Sequence, residues 1–165
     1  MGNAYLGLGS NRGDRQAYLD AAIDALCQLP DTALTGVSPV YETLPMGPQD
    51  QGLYFNMAAE LDCTRDPDWL IDELQRIELE LGRASREQRR HWGPREIDID
   101  LLLYDDQVRT GSRLTLPHIG MHERWFVLKP LADIAPEAVH PVMGKTVIEL
   151  LAKLEAAGAS QGVAL

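Results

Sequence analysis

The stretch Trp92-Gly93-Pro94-Arg95-Glu96-Ile97-Asp98-Ile99-Asp100-Leu101-Leu102-Leu103 alternates acidic and apolar residues and then runs into leucines. Alternation of period two marks an extended strand, in which residues i and i+2 share a face. Asp98 and Asp100 therefore look one way, while Ile97, Ile99, Leu101 and Leu103 look the other way, toward a core. Two like charges on one face repel each other, and a divalent cation would remove that cost. Same-face neighbours have Cα atoms roughly 6.6–6.8 Å apart, close enough for both carboxylates to reach inward. Magnesium takes oxygens at about 2.0–2.1 Å, commonly from one or two carboxylates plus substrate phosphates. One shared ion, or two ions about 3.5–4 Å apart, fits the pair. An ordinary amphipathic strand with an acidic outer face fits it as well, and the strand alone leaves both readings open.

The residues before the strand bear on that choice. The chain has twelve arginines and only three lysines, and five of the arginines (Arg83, Arg86, Arg89, Arg90 and Arg95) fall between positions 83 and 95. A solvated surface loop accounts for such a run. So does a clamp for an anionic ligand, because guanidinium forks match phosphate oxygens in pairs.

Working outward, Ala4, Leu6 and Leu8 alternate as a first strand ending in Gly7-Leu8-Gly9-Ser10-Asn11. Asp14 can cap a helix with Leu19, Ala22, Ile23, Leu26 and Leu29 on one face. Residues 33–43 and 53–63 read as strands on either side of a turn-rich loop, Leu44 to Gly52. Asp66-Pro67 is an N-cap followed by proline at the first helical position, opening a helix with Leu70, Leu74, Ile77 and Leu81 in one stripe, stopped by Gly82. After the strand over 97–104, Arg113 to His118 is extended, and helices are expected near 121–134 and 145–156. The tail from Ala156 to Leu165 is expected to fray. Strand, helix, strand, strand, helix, strand, then further helices predicts an α+β fold: a ferredoxin-like antiparallel sheet with helices packed on it, plus extra C-terminal helices.

The 165 residues suit one domain, 1–165, with a real core. A hydrophobic content of 45% is that of an ordinary globular chain. No apolar run reaches the roughly 20 residues of a membrane span, and no basic segment leads into an apolar one as in a secretory signal. Cys27 and Cys63 lack metal or redox spacing and read as reduced core residues of a cytoplasmic protein. A net charge of −10 argues against general nucleic-acid binding. There is no G-x-x-x-x-G-K-[ST] loop. After Gly7-x-Gly9 the next glycine is Gly13, with Arg12 in the place a dinucleotide fingerprint reserves for glycine.

Several motifs agree in order along nearly the whole chain. They are Gly9-Ser10-Asn11; Tyr41-x-Thr43-x-Pro45-x-Gly47-Pro48-Gln49-Asp50-Gln51; Tyr54-x-Asn56; Gln75-x-x-Glu78; Trp92-Gly93-Pro94-Arg95-x-x-Asp98-x-Asp100; Arg113-Leu114-Thr115-x-Pro117-His118; and Arg124-x-Phe126. Together they resemble the 6-hydroxymethyl-7,8-dihydropterin pyrophosphokinase family of folate biosynthesis. The resemblance implies transfer of pyrophosphate from ATP, as co-substrate, to the pterin hydroxymethyl group, leaving AMP, with two Mg2+ ions held by Asp98 and Asp100. Arg95, Asp98 and Asp100 would be catalytic. Gln75, Glu78, Arg95, Leu101, Arg113, Thr115, His118 and Arg124 would bind ATP. Thr43, Leu44, Met46, Tyr54, Asn56, Trp92 and Phe126 would bind the pterin, Phe126 by stacking and Trp92 by stacking or by closing a lid. One or two of Arg86, Arg89 and Arg90 would reach the phosphates from a closing loop. Leu44 and Met46 depart from the family pattern but keep an apolar wall, and Lys129 stands where an aromatic can occur. A monomer is expected, meeting ATP and a dihydropterin alcohol but no nucleic acid or membrane; the next enzyme of the folate pathway is a further partner to test. The rivals are another magnesium-dependent nucleotide transferase using the same two aspartates, and a non-catalytic ferredoxin-like binding module.

Overall fold

The computed structural model describes residues 2–45, 52–82 and 96–165. Its central strand is β1 (Gly2–Ser10), followed by α1 (Arg15–Cys27). Then come β2 (Thr32–Val37), β3 (Tyr41–Thr43), β4 (Tyr54–Cys63), α2 (Pro67–Glu80) and β5 (Asp98–Tyr104). A small hairpin follows, β6 (Arg109–Thr110) with β7 (Thr115–Leu116), then a 3-10 turn at Met121–Glu123 and α3 (Trp125–Ile134). The chain ends with the β8 (Val139–His140) and β9 (Lys145–Thr146) pair, α4 (Val147–Ala156) and β10 (Val163–Ala164).

The sheet is antiparallel. β1 lies between β4 and β5, with Gly9 opposite both Asn56 and Asp98, and Gly7 opposite Asp100. The far edge of β4 is shared by β2 and β3, and β10 pairs outside β3. Ser38 bridges the gap between β2 and β3: its N–H donates to the Ala58 carbonyl and its hydroxyl accepts the Ala58 N–H, at 2.9 and 2.8 Å. The expected strand over 33–43 is thus two strands separated by residues 38–40, where the ring of Pro39 lacks the N–H a continuous ladder needs.

The helix caps form as the sequence predicts. The Asp14 carboxylate accepts the Ala17 N–H at 3.1 Å, and the Asp66 carboxylate accepts the Trp69 N–H at 2.9 Å. α1 and α2 cover one face of the sheet, burying Leu19, Ala22, Leu26, Leu70, Leu74 and Ile77 against Leu6, Leu8, Ile99 and Leu101. α3 and α4 cover part of the other face, burying Trp125, Leu128, Leu131, Leu150 and Leu151 against Leu102 and Leu103. Tyr41 ties β3 to α3: its hydroxyl donates to Asp133, its ring meets Trp125 edge-on, and burial with that carboxylate pushes its pKa up to about 12. No helix among the described residues is long and apolar enough to cross a membrane.

Three expectations change. Leu103 does not share the core of Ile99 and Leu101. A bulge, where Tyr5 faces Leu103 but Leu6 faces Leu101, turns Leu102 and Leu103 into the second core. Cys27 is exposed at the end of α1, while Cys63 is buried; both are free thiols. The C-terminal tail does not simply fray, because Val163 and Ala164 pair with Glu42 and Tyr41 on the edge of the sheet.

Candidate active site

The half of the sheet left uncovered by α3 and α4 carries an open cleft of about 650 Å³, including the solvent at its mouth. Its floor is the end of β1. Gly7, Leu8 and Gly9 run between Asn56 and Met57 of β4 on one side and Asp98 and Asp100 of β5 on the other. Thr43 and Leu44, at the end of β3, and Arg124, Phe126 and Val127, at the start of α3, complete the lining.

Glycine at position 9 is required by close approach. A Cβ there would lie 2.8 Å from Asn56 Oδ1 and 3.4 Å from the Tyr54 ring. Asn56 is buried over this bare backbone, and its amide donates to the Thr43 hydroxyl at 2.6 Å. The strand alternation reads as expected at Asp98 and Asp100: both are partly exposed on the cleft side, with Ile99 buried between them. Neutral and charged groups therefore stand two strand spacings, roughly 9–10 Å, apart across β1, with the asparagine on one flank and the carboxylates on the other.

His118 borders the acidic side. Its Nε2 lies 3.9 Å from Asp100 Oδ2, beyond hydrogen-bond reach, and its Nδ1 accepts the Gly120 N–H at 3.3 Å. Burial and then the Arg124 cation hold its pKa below the ordinary histidine value, with Asp98 acting in the opposite sense.

The structure brings together Thr43, Leu44, Tyr54, Asn56, Phe126, Asp98, Asp100 and Arg124 as lining of one cleft. Gln75 and Arg113 stand apart from that lining, exposed on α2 and ahead of β7, where Arg113 pairs with Asp72. The Thr115 hydroxyl donates to the Gly111 carbonyl in the hairpin turn, at 3.2 Å. Leu101 has its side chain in the core, so its backbone is what could face a ligand. Met46, Trp92 and Arg95, with the arginines of the preceding loop, lie outside the described residues.

Glu78, which the resemblance assigns to ATP, is buried beside the apolar stripe of α2. It is 3% exposed, between α2 and β5, and its Oε2 accepts the Ile99 N–H at 2.7 Å. β5 is an edge strand, so this amide has no further strand to pair with, and a carboxylate from the covering helix takes that place. Helix periodicity alone does not reveal this role, since it depends on where β5 meets α2. Gly7, Leu8, Met57 and Val127 are lining residues the sequence did not single out. For Gly7 the signal was present as Gly7-x-Gly9 after a strand, but only the cross-strand register gives it a purpose.

Among the described residues no group of three or more His, Cys, Asp or Glu side chains converges on one point. The donor set available at Asp98 and Asp100 is two carboxylates. That suits magnesium, which is completed by water and phosphate oxygens, better than a metal needing an all-protein cage.

Known proteins are similar to this chain in sequence and in fold. Residues 5–136 match the family described as 7,8-dihydro-6-hydroxymethylpterin-pyrophosphokinase. The chain is 47% identical over 148 residues to the 2-amino-4-hydroxy-6-hydroxymethyldihydropteridine pyrophosphokinase of Pseudomonas aeruginosa, covering 90% of this chain and 89% of that one. It is 45% identical to the protein of the same name from Haemophilus influenzae, over 86% of each chain. Among solved structures, the fold resembles an HPPK-DHPS in complex with substrates, with a TM-score of 0.74 at 13% identity over 95% of this chain. It also resembles wild-type Plasmodium falciparum HPPK-DHPS with pteroate, with a TM-score of 0.73 at 16% identity over 92%. The chain spans 46% and 42% of the length of those two. The family match and the bacterial relatives together show that the chain belongs to the 7,8-dihydro-6-hydroxymethylpterin-pyrophosphokinase family.

Proposed function

We propose that this protein transfers a pyrophosphoryl group from ATP to the hydroxyl of 6-hydroxymethyl-7,8-dihydropterin, releasing AMP and the pterin diphosphate. The new bond joins the alcohol oxygen to the β-phosphorus, and the bond to the oxygen bridging the α- and β-phosphorus breaks. The observation that carries this reading is the cleft itself. It gathers an amide and two rings (Asn56, Tyr54, Phe126) with two carboxylates (Asp98, Asp100), and Asn56 and Asp98 flank the bare backbone of Gly9 on its two sides.

The wall of Asn56 and Thr43 suits the amide-like edge of a pterin, since a carboxamide offers both an acceptor and donors. Phe126 gives a ring face for a flat heterocycle, and Tyr54 lines the same cleft. Asp98 and Asp100 would hold magnesium, which supplies neutralisation of the charge on the transferring phosphates when bound. Arg124 adds a fixed cation at the same end, and Glu78 holds the strand between the two aspartates. Gln75, Arg113, Thr115 and His118 would meet the nucleotide, with Leu101 contributing its backbone. Arg95 would steady the phosphates, with Met46 and Trp92 completing the pterin side. Placement and electrostatics then account for the catalysis.

The order β5-β1-β4 followed by β2 and β3, with α1 and α2 on one face, supports a ferredoxin-like core to which α3 and α4 are added. We read the chain as one pyrophosphokinase domain, acting as a cytoplasmic monomer.

Incubation with ATP, magnesium and the hydroxymethyl-dihydropterin tests the proposal. AMP release that requires the pterin is expected. Release of ADP, or of free pyrophosphate, overturns the proposed transfer.

A further inference from the structure

β3 is only three residues long, yet it presents Thr43 to the cleft. So short a strand does not hold its own position, and each of its residues is pinned from outside. Tyr41 is tied to Asp133 of α3. Glu42 pairs with Arg15 of α1 at 3.2 Å, and that guanidinium lies 3.8 Å above the Phe55 ring. The remaining edge is taken by the C-terminal tail: Val163 and Ala164 pair with Glu42 and Tyr41, and the Leu165 N–H donates to the Val40 carbonyl at 2.9 Å.

At Gly162 the tail packs against Thr43 itself. A Cβ there would fall far inside van der Waals contact with the Glu42 carbonyl oxygen and 2.6 Å from Thr43 Cγ2. The obstruction is backbone, which cannot rotate away as a flexible side-chain end can. Any side chain at 162 must therefore lift the tail or push β3 toward the cleft. Thr43 carries the hydroxyl that accepts from the Asn56 amide. The matched family region ends at residue 136, so the tail lies beyond it.

We infer that Gly162 and the β10 strand form a strap that positions Thr43, and through it Asn56, so that the tail sets the fit of the pterin ring without touching it. Gly162 is a positioning residue in this scheme. The inference rests on the pterin reading of the cleft.

The test compares Gly162→Ala and Gly162→Val with the wild type and with Gln161→Ala, an exposed neighbour in the tail. Three quantities are read: backbone amide exchange at 41–43 and 163–165, steady-state AMP formation, and binding of fluorescent 6-hydroxymethylpterin. In the Gly162 variants exchange should quicken in both segments. KM for the pterin and the pterin Kd should rise about fivefold to tenfold, the effect of about one misplaced hydrogen bond. KM for ATP and kcat should stay within about twofold. Thr43→Ser, which removes Cγ2 but keeps the hydroxyl, should recover part of the loss in the Gly162→Ala background. If Gly162→Val does not fold, deletion of 161–165 carries the same expectation.

Faster exchange with an unchanged pterin KM overturns the strap. So does an equal loss for both substrates, which would mean general loosening. A wild type that binds no pterin overturns the functional reading, and is seen before any variant is made.

Discussion

Glu78→Ala removes the carboxylate that accepts the Ile99 N–H at 2.7 Å in a buried contact between α2 and β5. A hydrogen bond to a charged group contributes about 1.5–3 kcal/mol, and a buried donor left without an acceptor costs about 1–3 kcal/mol. Water can enter the space left by the side chain, so the two figures overlap, and a net loss of about 2–4 kcal/mol is expected. For a chain of this length each kcal/mol moves Tm by about 2–4 °C, so Glu78→Ala should lower Tm by about 4–16 °C. Glu78→Gln keeps an acceptor oxygen and should lose about 1 kcal/mol, or about 2–4 °C. Calorimetry or a circular-dichroism melt measures both. Amide exchange adds a local readout: protection at Ile99 should fall in Glu78→Ala before protection in β4 does. Because Ile99 sits between Asp98 and Asp100, turnover should fall as well, and added magnesium should recover part of it if the two carboxylates have merely splayed. A Glu78→Ala protein that melts within about 2 °C of wild type, with Ile99 still protected, would refute the reasoning.

Asp98→Asn and Asp100→Asn should each lower kcat by about a hundredfold or more while Tm holds within about 2 °C, because both side chains are partly exposed and lie outside the cores; loss of fold in both would favour a structural role. Gly9→Ala forces a Cβ to 2.8 Å from Asn56 Oδ1 and should weaken pterin binding about tenfold by titration, with ATP binding little changed. His140 is held below the usual histidine pKa, first by burial and then by His122, whose ring lies 5.9 Å away. The unfolded chain therefore binds the proton first, and stability present above about pH 6.5 declines as pH falls below it. His140→Asn keeps an acceptor near the Met143 N–H, bonded to His140 Nδ1 at 3.1 Å, and should flatten the fall of Tm between about pH 7 and 5.5; an unchanged slope would exclude His140.

How much of this was legible in the chain follows the range of each interaction. Period-two alternation is local, so Ile97 to Leu101 alone placed Asp98 and Asp100 on one face with Ile99 buried between them. Caps are local too, and Asp14 and Asp66 cap where their spacing to the first apolar residues predicts. The motifs around Thr43, Asn56, Asp98 and Arg124 identified the family because they lie in order along the sequence. What separates residues by many positions was not legible. The bulge at Leu102 depends on the register of β5 against β1. Glu78 and Gln75 share a helix, but only the approach of β5 buries Glu78 and leaves Gln75 exposed. The small residues of the tail carry no periodic signal, and Gly162 acquires its role from a β3 backbone about 120 positions earlier, where edge pairing needs close approach more than side chains. The sequence by itself determined the acidic pair, the helices that back it and the family. Tertiary structure alone decided which strand floors the cleft, what steadies its edges and where the tail is pinned, because those contacts are set by register and packing between distant segments.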